Sequence, residues 1–381
     1  MKKRLITLLS YVLVALISSA VTMAVFLFSG SVSKLDQLSA LIGEYFIDET
    51  DPVALEDAAA KAMVKATGDR WSYYISADEY ASYLEDAKNA YVGIGITIIV
   101  ADDGDGLQIM EVNENGPADQ AGLMVGDVIV AIEGQSMSGM TTTQARNLVR
   151  GKEGTPVEIT VRRGSEKLTF SVTRRQMQVT VASGQMLTDT VGLVSIDNFE
   201  SRCADETISS IESLLDQGAQ MLVFDVRNNP GGYAHELVEI LDFLLPEGDL
   251  FRTVDYRGKE AVDTSDEAYL DIPMVVLVNG DTFSAAEFFA VALQEYEAAV
   301  VVGEKTTGKG HFQQTFSLND GSAVALSTGK YFTPRGISLE GVGITPDVEI
   351  TLDEETAAKV YYGQLDPMED PQILAALELW K

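Results

Sequence analysis

The apolar positions in the C-terminal half of the chain fall into short unbroken runs that are separated by longer segments. Met274 to Val278 form one such run, and Ala298 to Val302 form another. Between them, the segment that opens at Ser284 to Glu287 continues as a long apolar stretch. Short apolar runs bounded by turn residues are typical of buried strands, and longer periodic segments are typical of helices. This part of the chain therefore predicts a strand, a turn, a helix and a second strand.

The same rhythm extends upstream. Gly192 to Ile196 and Met221 to Val226 have the pattern of buried strands, whereas Asp205 to Gln217 and Ala234 to Leu245 have the spacing of helices. Alternation of strands and helices favours an α/β domain. The sequence therefore predicts an α/β core of βαβ type over residues 176–360, without giving the order of its strands.

Residues 91–175 follow a different period. Gly93 to Ile96 open a strand in which apolar and polar positions alternate, and Val157 to Val161 alternate in the same way. Turn residues begin a short helix near Gly116, and a further strand begins after Gly126. Alternating strands separated by turn residues predict a β-rich module. We interpret this module as a separate domain inserted ahead of the core.

The N-terminal segment decides the expected compartment. Lys2, Lys3 and Arg4 precede Leu5 to Phe28, which is 24 residues without a charge and spans a bilayer of ~30 Å at ~1.5 Å per residue. Positive charges before such a span keep the N-terminus in the cytoplasm and place the rest of the chain outside. We expect a single-pass protein of the cell membrane with an uncleaved anchor. A cleaved signal peptide, whose apolar region is usually shorter, is the alternative.

Residues 31–90 have the spacing of helices, because Leu35, Leu38, Leu41 and Ile42 recur on one helical face. The predicted organisation thus has five parts in chain order. They are a cytoplasmic stub with a transmembrane anchor (1–30), a helical arm (31–90), the β-rich module (91–175), the α/β core (176–360) and a helical tail (361–381).

Composition excludes several classes of function. The chain carries 58 acidic and 27 basic residues, for a net charge of −31, and nucleic acid is a poor partner because phosphate binding needs clustered cations. A hydrophobic share of 46% argues against a disordered chain. The single cysteine, Cys203, allows no intramolecular disulfide, and the only two histidines, His235 and His311, argue against a zinc site. We expect no metal and no cofactor.

Ser284 is the candidate nucleophile. A serine hydroxyl needs an adjacent base, and a lysine amine can serve when burial lowers its pKa. Lys309, flanked by two glycines, is the candidate base and must then occupy a buried site. Free backbone N–H groups at the first turn of a helix can hold a developing oxyanion beside Ser284. The non-catalytic alternative is that Ser284 and Glu287 form only a capping box and that Lys309 is a solvated loop residue.

His311 is the rival base. If residues 309–313 form a strand, alternation places Lys309, His311 and Gln313 on one face, where either basic side chain can approach the serine. Spacing alone therefore leaves two candidate bases.

A glycine pair follows the strand predicted to end at Val226. Gly231 and Gly232 close the segment that starts at Asp225, and a predicted helix begins at Ala234. Glycines in this position expose backbone N–H donors, although a plain turn is the alternative. Neither Gly-Lys-Ser/Thr nor Gly-x-Gly-x-x-Gly occurs here, so a nucleotide-binding loop is disfavoured.

Several separated motifs resemble the carboxyl-terminal processing proteases, also called tail-specific proteases. In chain order they are Val278–Asn279 with Ser284–Ala285–Ala286–Glu287, Gly303 to Gly310, Phe312–Gln313, and Tyr331 to Pro334. The resemblance implies a crotonase/Clp-like α/β core. It further implies that Ser284 is the nucleophile, that Lys309 is the base and that Gln313 orients the lysine.

The same resemblance gives the glycine pair a role in catalysis. Gly231 or Gly232 would supply part of an oxyanion hole. The second donor would be the backbone amide of Ser284 or Ala285. Phe283 departs from the small residue more often found before the nucleophile, and we expect it to reshape the adjoining pocket.

The module over residues 91–175 resembles a PDZ domain. Such a domain captures a peptide C-terminus, which adds as a strand while backbone amides hold its carboxylate. The amides concerned are those of Gly93, Ile94, Gly95 and Ile96, where glycines let the backbone approach the ligand closely. The expected partners are protein or peptide substrates with apolar C-termini. Assembly into a homo-oligomer through the helical arm is an expectation at the level of the family.

These inferences converge on a membrane-anchored serine endopeptidase that recognises a protein C-terminus and cuts near it with Ser284 and Lys309. The alternative is a catalytically inactive PDZ scaffold that binds protein C-termini at the membrane. A lipid hydrolase on the same exported architecture is disfavoured, because no Gly-x-Ser-x-Gly pattern surrounds Ser284.

Overall fold

The computed structural model describes Ser18, residues 33–101 and residues 104–380. Apart from Ser18, the predicted anchor, Leu5 to Phe28, lies outside the described residues. Within the described part of the chain, no helix combines the length and the apolar character that crossing a membrane requires. The chain divides into two compact units, residues 1–76 and residues 77–381.

The described part of the first unit contains two helices and a short strand. They are α1 (Lys34–Tyr45), α2 (Pro52–Lys65) and β1 (Tyr73–Ile75). Ser33 and Asp36 form a capping box at the start of α1, and Asp51 caps α2. The Tyr74 hydroxyl donates a hydrogen bond to Asp57 Oδ1 at 2.6 Å, which joins β1 to α2. The helical spacing seen in the sequence thus corresponds to two separately capped helices.

The second unit begins with a β-rich part. Its elements are α3 (Ala77–Asp86), β2 (Ala90–Gly93), β3 (Ile96–Val100), β4 (Leu107–Val112), α4 (Pro117–Ala121), β5 (Val128–Ile132), β6 (Gln135–Ser136), α5 (Thr142–Val149), β7 (Pro156–Arg163), β8 (Glu166–Thr173) and β9 (Arg175–Gln178). One antiparallel sheet has the order β3-β4-β5-β7-β8, with β6 beside β5, so β3 lies at a sheet edge. Its core is apolar and closed to solvent, with Leu107, Ile129 and Ile159 each 0% exposed.

From residue 182 onward, helices and strands alternate. The elements are β10 (Ala182–Met186), β11 (Val191–Ile196), α6 (Cys203–Asp216), β12 (Met221–Asp225), α7 (Ala234–Leu244), β13 (Gly248–Asp255), β14 (Glu260–Ser265), β15 (Met274–Val278), α8 (Ala285–Glu295), β16 (Ala299–Gly303), β17 (His311–Ser317), β18 (Ala323–Phe332), β19 (Val348–Glu349), α9 (Glu354–Tyr361) and α10 (Pro371–Glu378). These strands form two sheets.

The main sheet carries the predicted α/β core. Its order is β10-β11-β12-β15-β16-β19, and every pair is parallel except β10 with β11. Side chains alternate between its two faces. Phe224 and Val276 join the cluster packed by α6, α7 and α8, whereas Val223 and Val275 join the cluster that includes Ile373 of α10. Burial on both faces explains the unbroken apolar runs in the sequence, and the predicted α/β core is confirmed.

A second, antiparallel sheet was not predicted. Its strands β17, β18, β13 and β14 are joined in that order. A Cβ on Gly329 would overlap the Phe312 ring, which also packs against Tyr331 with ring centroids 5.1 Å apart. Glycine at position 329 of β18 therefore makes room for the Phe312 ring of β17. This packing fixes β17, the strand that follows the Lys309 loop.

A buried arginine joins the C-terminal helix to the main sheet. The Arg227 side chain is 4% exposed and forms ion pairs with Asp225 (2.6 Å) and Asp370 (2.7 Å), and it donates to Gln372 Oε1 (2.8 Å). Although burial opposes its charge, the two carboxylates hold the pKa of Arg227 above its ordinary value. Charges this deep stay ionised only when paired, so the four groups fix the loop that leaves β12.

Candidate active site

Two loops meet at the carboxyl edge of the main sheet. Residues 226–232 follow β12 and residues 279–284 follow β15, and these two parallel strands are neighbours. The Thr282 hydroxyl donates to the Val226 carbonyl at 2.8 Å and links the loops. Adjacent parallel strands end on the same side of a sheet. The fold therefore brings together the predicted nucleophile and the predicted glycine pair, which are far apart in sequence.

Ser284 precedes α8 in a strained conformation. Its φ is +60° and its ψ is −127°, a region that residues other than glycine rarely adopt. The residue is 9% exposed, and its backbone N–H donates to Glu287 Oε2 at 3.1 Å. Strain of this kind persists only where the surrounding structure imposes it, and it concentrates at functional sites. The position of Ser284 is thus set by its surroundings.

Gly231 packs directly against Ser284. Its φ is +88°, and a Cβ there would lie 2.8 Å from both the Ser284 Cβ and the Ala285 nitrogen. Glycine is required here both for the backbone angle and for the close approach. Its own N–H donates to Asn229 Oδ1 at 2.8 Å, so this amide is already engaged within the loop.

Gly232 and Ala285 retain their amide donors. A Cβ on Gly232 would overlap the Phe199 carbonyl, which again requires glycine. In the part of the chain that the structure describes, the N–H groups of Gly232 and Ala285 are bonded to no acceptor. The N–H groups of Gly231 and Ser284 are engaged. Of the four oxyanion donors considered from the sequence, the geometry therefore leaves two available.

Glu287 connects Ser284 to the loop that carries Lys309. Its carboxylate is fully buried and accepts four hydrogen bonds, from the backbone N–H groups of Ser284 (3.1 Å), Gly308 (2.8 Å) and Lys309 (2.8 Å) and from the Thr306 hydroxyl. One buried group thus orders the backbone on both sides of the site. Sequence reasoning missed this role, and its only signal was the Ser-x-x-Glu spacing that also marks a capping box.

Lys309 lies beside Phe283, the residue that precedes Ser284. Its amine nitrogen is 5.6 Å from the centroid of the Phe283 ring. The Lys309 side chain is half-buried. Its exposure is therefore intermediate between the two alternatives drawn from the sequence, a solvated loop residue and a buried base. A Cβ on Gly308 would lie 2.7 Å from the Gly343 nitrogen, so a flanking glycine lets the loop run close beneath its neighbour.

Residues 309–313 do not form one strand, so the condition for placing Lys309, His311 and Gln313 on one face is not met. Strand β17 begins at His311, and its register with β18 shifts between Phe312 and Gln313. The shift leaves Thr328 as an extra residue, so the bulge lies in β18 and not in β17. Lys309, which precedes the strand, is therefore not placed on a shared face by alternation. The Gln313 amide nitrogen donates to the His311 carbonyl at 3.1 Å.

His311, the rival base, has a carboxylate neighbour. Its Nδ1 lies 3.4 Å from Glu340 Oε2, which also accepts from the Gly310 N–H at 2.8 Å. The side chain is 25% exposed. Both candidate bases thus sit where the Lys309 loop joins β17, and mutagenesis is the way to separate them.

An acidic pair lies behind Gly232. The Cβ position of Gly232 is 2.7 Å from the Glu200 nitrogen, and Glu200 Oε2 is buried without a hydrogen-bond partner among the described residues. The nearby Glu236 carboxylate accepts from the backbone of Arg202 (2.9 Å) and Ala204 (2.7 Å) at the start of α6. Burial, and next the charge of Glu236, raises the pKa of Glu200 to about 7.

Glu200→Gln is expected to weaken the dependence of the free energy of unfolding on pH. The folded-state pKa lies above the unfolded value, so the folded state binds this proton more tightly and the stability that it provides is lost as pH rises through about 7. The free energy of unfolding falls by on the order of 3 kcal/mol over this pH range because of Glu200. The Glu200→Gln variant is expected not to show this fall. Denaturant unfolding at about pH 5.5 and 8.5 measures the difference, with Glu239→Gln on an exposed position of α7 as the control. Equal pH dependence in both variants would contradict the assignment.

The amides predicted to bind a C-terminus line a separate groove. Residues 93–96 border a cavity of about 410 Å³ between β3 and α5. The carbonyls of Ile94 and Gly95 accept from the backbone of Ala118 and Asn113 inside the module. In the described part of the chain, the N–H groups of Ile94 and Gly95 are bonded to no acceptor. These donors are therefore available to a ligand at the end of the groove.

Cys203 is not available as a nucleophile. Cys203 is buried in α6, and burial raises the pKa of its thiol to about 12, which keeps it protonated and unreactive. Among the residues that the structure describes, no group of three or more His, Cys, Asp or Glu side chains can hold a metal ion.

Known proteins share this architecture. Peptidase family S41 matches residues 190–350, and the PDZ domain family matches residues 108–163. The chain is 31% identical over 373 residues to the carboxy-terminal processing protease CtpA of Bacillus subtilis (strain 168), with coverage of 93% of this chain and 79% of that protein. It is 32% identical over 323 residues to a probable CtpA-like serine protease of Staphylococcus haemolyticus, with coverage of 84% of this chain and 64% of that protein.

A solved structure supports the fold. A putative S41 protease from Bacteroides fragilis matches with a TM-score of 0.52 at 17% identity, over 90% of this chain and 96% of that chain. The S41 match includes both loops of the site together with Ser284 and Lys309, and the PDZ match falls within the β-rich part. The family resemblance and the serine peptidase class inferred from the sequence are confirmed. The chain belongs to peptidase family S41, as a carboxy-terminal processing serine protease with a PDZ domain.

Proposed function

We propose that the chain is a membrane-anchored endopeptidase that holds the C-terminus of a protein substrate in its PDZ groove and cleaves near that end with Ser284 and Lys309. The observation that carries this proposal is the Glu287 carboxylate, which holds the backbone N–H groups of both residues. A serine that only caps a helix has no need of this link. The carboxylate that Ser284 and Lys309 share supports a catalytic pair rather than an inert scaffold.

In the proposed mechanism, the Ser284 hydroxyl attacks the scissile carbonyl. The neutral Lys309 amine takes the hydroxyl proton and returns it to the leaving amine, and water then releases the acyl group by the same route. A lysine acting this way needs a pKa of ~7–8. The Lys309 side chain is half-buried and its amine lies over the Phe283 ring, so we expect closure over a bound substrate to complete the desolvation that this mechanism requires.

The oxyanion in this mechanism is held by backbone amides. Ala285 N–H lies at the positive end of α8, and Gly232 N–H comes from the opposite loop, so the developing charge meets a donor from each side. Gly231 keeps the two loops close enough for this. Gln313 is assigned the role of orienting the lysine amine, as the family resemblance implies.

The anchor and the compartment rest on the sequence. Lys2, Lys3 and Arg4 followed by the uncharged segment Leu5 to Phe28 support a single membrane span with the catalytic part outside the cytoplasm. Substrates are then exported or membrane-bound proteins.

One experiment tests anchor, activity and end recognition together. Cells producing the full chain are broken, their membranes are washed with alkaline buffer, and washed membranes and soluble fraction are each mixed with an unstructured protein that ends in apolar residues. Matched proteins with an acidic or an amidated end serve as controls, and mass spectrometry identifies the products. Cleavage of the apolar-ended protein by the membranes alone is expected. Tail binding without cleavage would favour the scaffold instead.

A further inference from the structure

We propose that the PDZ groove selects substrate tails that end in an apolar residue and carry Asp or Glu two residues before it, and that Arg146 recognises this acidic side chain. The inference rests on the proposed function and names its substrate class. It is carried by the arrangement of charge along one wall of the groove.

The floor of the groove suits an apolar last residue. Ile94, Ile96 and Ile98 line one side, and Val149 lines the other. Strand β3 is the edge strand of its sheet, so an extended tail can pair with its outer side. A buried apolar side chain between β3 and α5 then contributes through removal of its surface from water.

The helical wall of the groove is positively charged. Arg146 and Arg150 of the α5 segment are the only charged residues that line it among the described residues, and no acidic residue does so. The chain as a whole is strongly acidic, with a net charge of −31. The groove therefore carries positive charge although the chain is acidic overall. Its two arginines lie about one helical turn apart, and they complement an acidic ligand.

The direction of the tail follows from the position of Arg150. Its guanidinium carbon lies 5.6 Å from the centroid of the Tyr91 ring, and Tyr91 precedes the available amides of residues 93–96. Arg150 Nε is buried and has no hydrogen-bond partner among the described residues. The C-terminal end of α5 therefore lies beside the terminal carboxylate. A tail that runs inward along β3 passes Arg146 next.

Spacing identifies the tail residue that reaches Arg146. One helical turn advances ~5.4 Å, and two residues of an extended strand advance ~6.6 Å. Side chains two apart in a strand also point the same way. If the last side chain faces α5, then the side chain two residues before it faces α5 about one turn earlier, at Arg146. A Glu or Asp there can pair with an exposed guanidinium that reaches into the groove.

Local charge decides this contact despite the acidity of the whole chain. Charges farther away than ~8 Å are largely screened at physiological ionic strength, whereas a pair at contact distance is screened less. A partly exposed pair of this kind contributes up to about a fivefold gain in affinity. The gain is expected to shrink as salt rises.

The test measures binding apart from cleavage. The full chain in detergent, carrying Ser284→Ala to prevent turnover, is titrated with fluorescent peptides that share an apolar last residue and differ only in Glu or Gln two positions before it. The Glu peptide is expected to bind about fivefold more tightly at low salt. Arg146→Gln is expected to erase this difference, and Arg146→Glu is expected to reverse it in favour of a peptide with Lys at the same position.

Control variants separate this inference from the function on which it rests. Lys167→Gln removes a charge from β8, at the opposite edge of the sheet, and is expected to keep the preference for Glu. Equal binding of the Glu and Gln peptides, together with tighter binding of a free than of an amidated end, would overturn the inference and leave C-terminal recognition standing. Absence of any preference for the free end would overturn both.

Discussion

Replacing Ser284 with alanine is expected to lower the rate of cleavage by a factor of about 10⁴ or more, with the fold intact. The hydroxyl is the only part removed, and the strained backbone is held by Gly231 and Glu287 whichever small side chain is present. Lys309→Ala is expected to cause a loss of similar size, because nucleophile and base act as one unit. Cleavage of an apolar-ended protein, followed by mass spectrometry, measures both losses.

Two controls make this result specific to the dyad. Lys305→Ala removes an exposed lysine from the same loop and is expected to leave the rate nearly unchanged. His311→Ala tests the rival base, whose neighbour is Glu340. Activity that survives in Lys309→Ala and disappears in His311→Ala would show that the base is the histidine. Thermal unfolding and binding of a tail peptide confirm that each variant is folded.

The sequence alone predicts those parts of the site whose structure is determined by the local pattern of apolar residues. The apolar runs at Met221 to Val226 and Met274 to Val278 are buried on both faces of a parallel sheet, so hydrophobicity alone marks them as strands. A loop that follows each strand must then lie at the same sheet edge. The meeting of Gly231 with Ser284 follows from this rule together with the family resemblance.

The rest depends on contacts between distant segments, which no local pattern records. The second sheet pairs β13, β14, β17 and β18 across long intervals of sequence. Strand β17 begins only at His311, so the alternation on which the shared face of Lys309 and Gln313 was based does not extend to Lys309. Glu287 shows the same limit, because its Ser-x-x-Glu spacing reports the helix start but not the three groups that approach from the lysine loop.

Glu287→Ala is expected to lower the free energy of unfolding by about 3–5 kcal/mol and the cleavage rate by at least about 100-fold. The substitution removes the acceptor of three buried donors, those of Ser284, Thr306 and Gly308, and of the partly buried N–H of Lys309. Glu287→Gln is expected to fail as well, because its amide nitrogen would face N–H groups that also donate. Denaturant unfolding gives the first quantity, and steady-state kinetics at a temperature where the variant is folded gives the second.

The kinetic pattern distinguishes positioning from a general loss of structure. Glu287 contacts the loops of Ser284 and Lys309 and does not line the PDZ groove, so its variants are expected to lose kcat while a tail peptide keeps its affinity. A displaced Lys309 amine also changes the pH profile of kcat, which a uniform loss of folded protein does not. Glu297→Gln, two residues beyond the end of α8 and exposed, removes the same charge and is expected to leave stability within about 0.5 kcal/mol. If substitutions at Glu287 and Glu297 changed stability and kcat equally, the loss of charge would explain both effects. The buried link between Ser284 and Lys309 would then have no role.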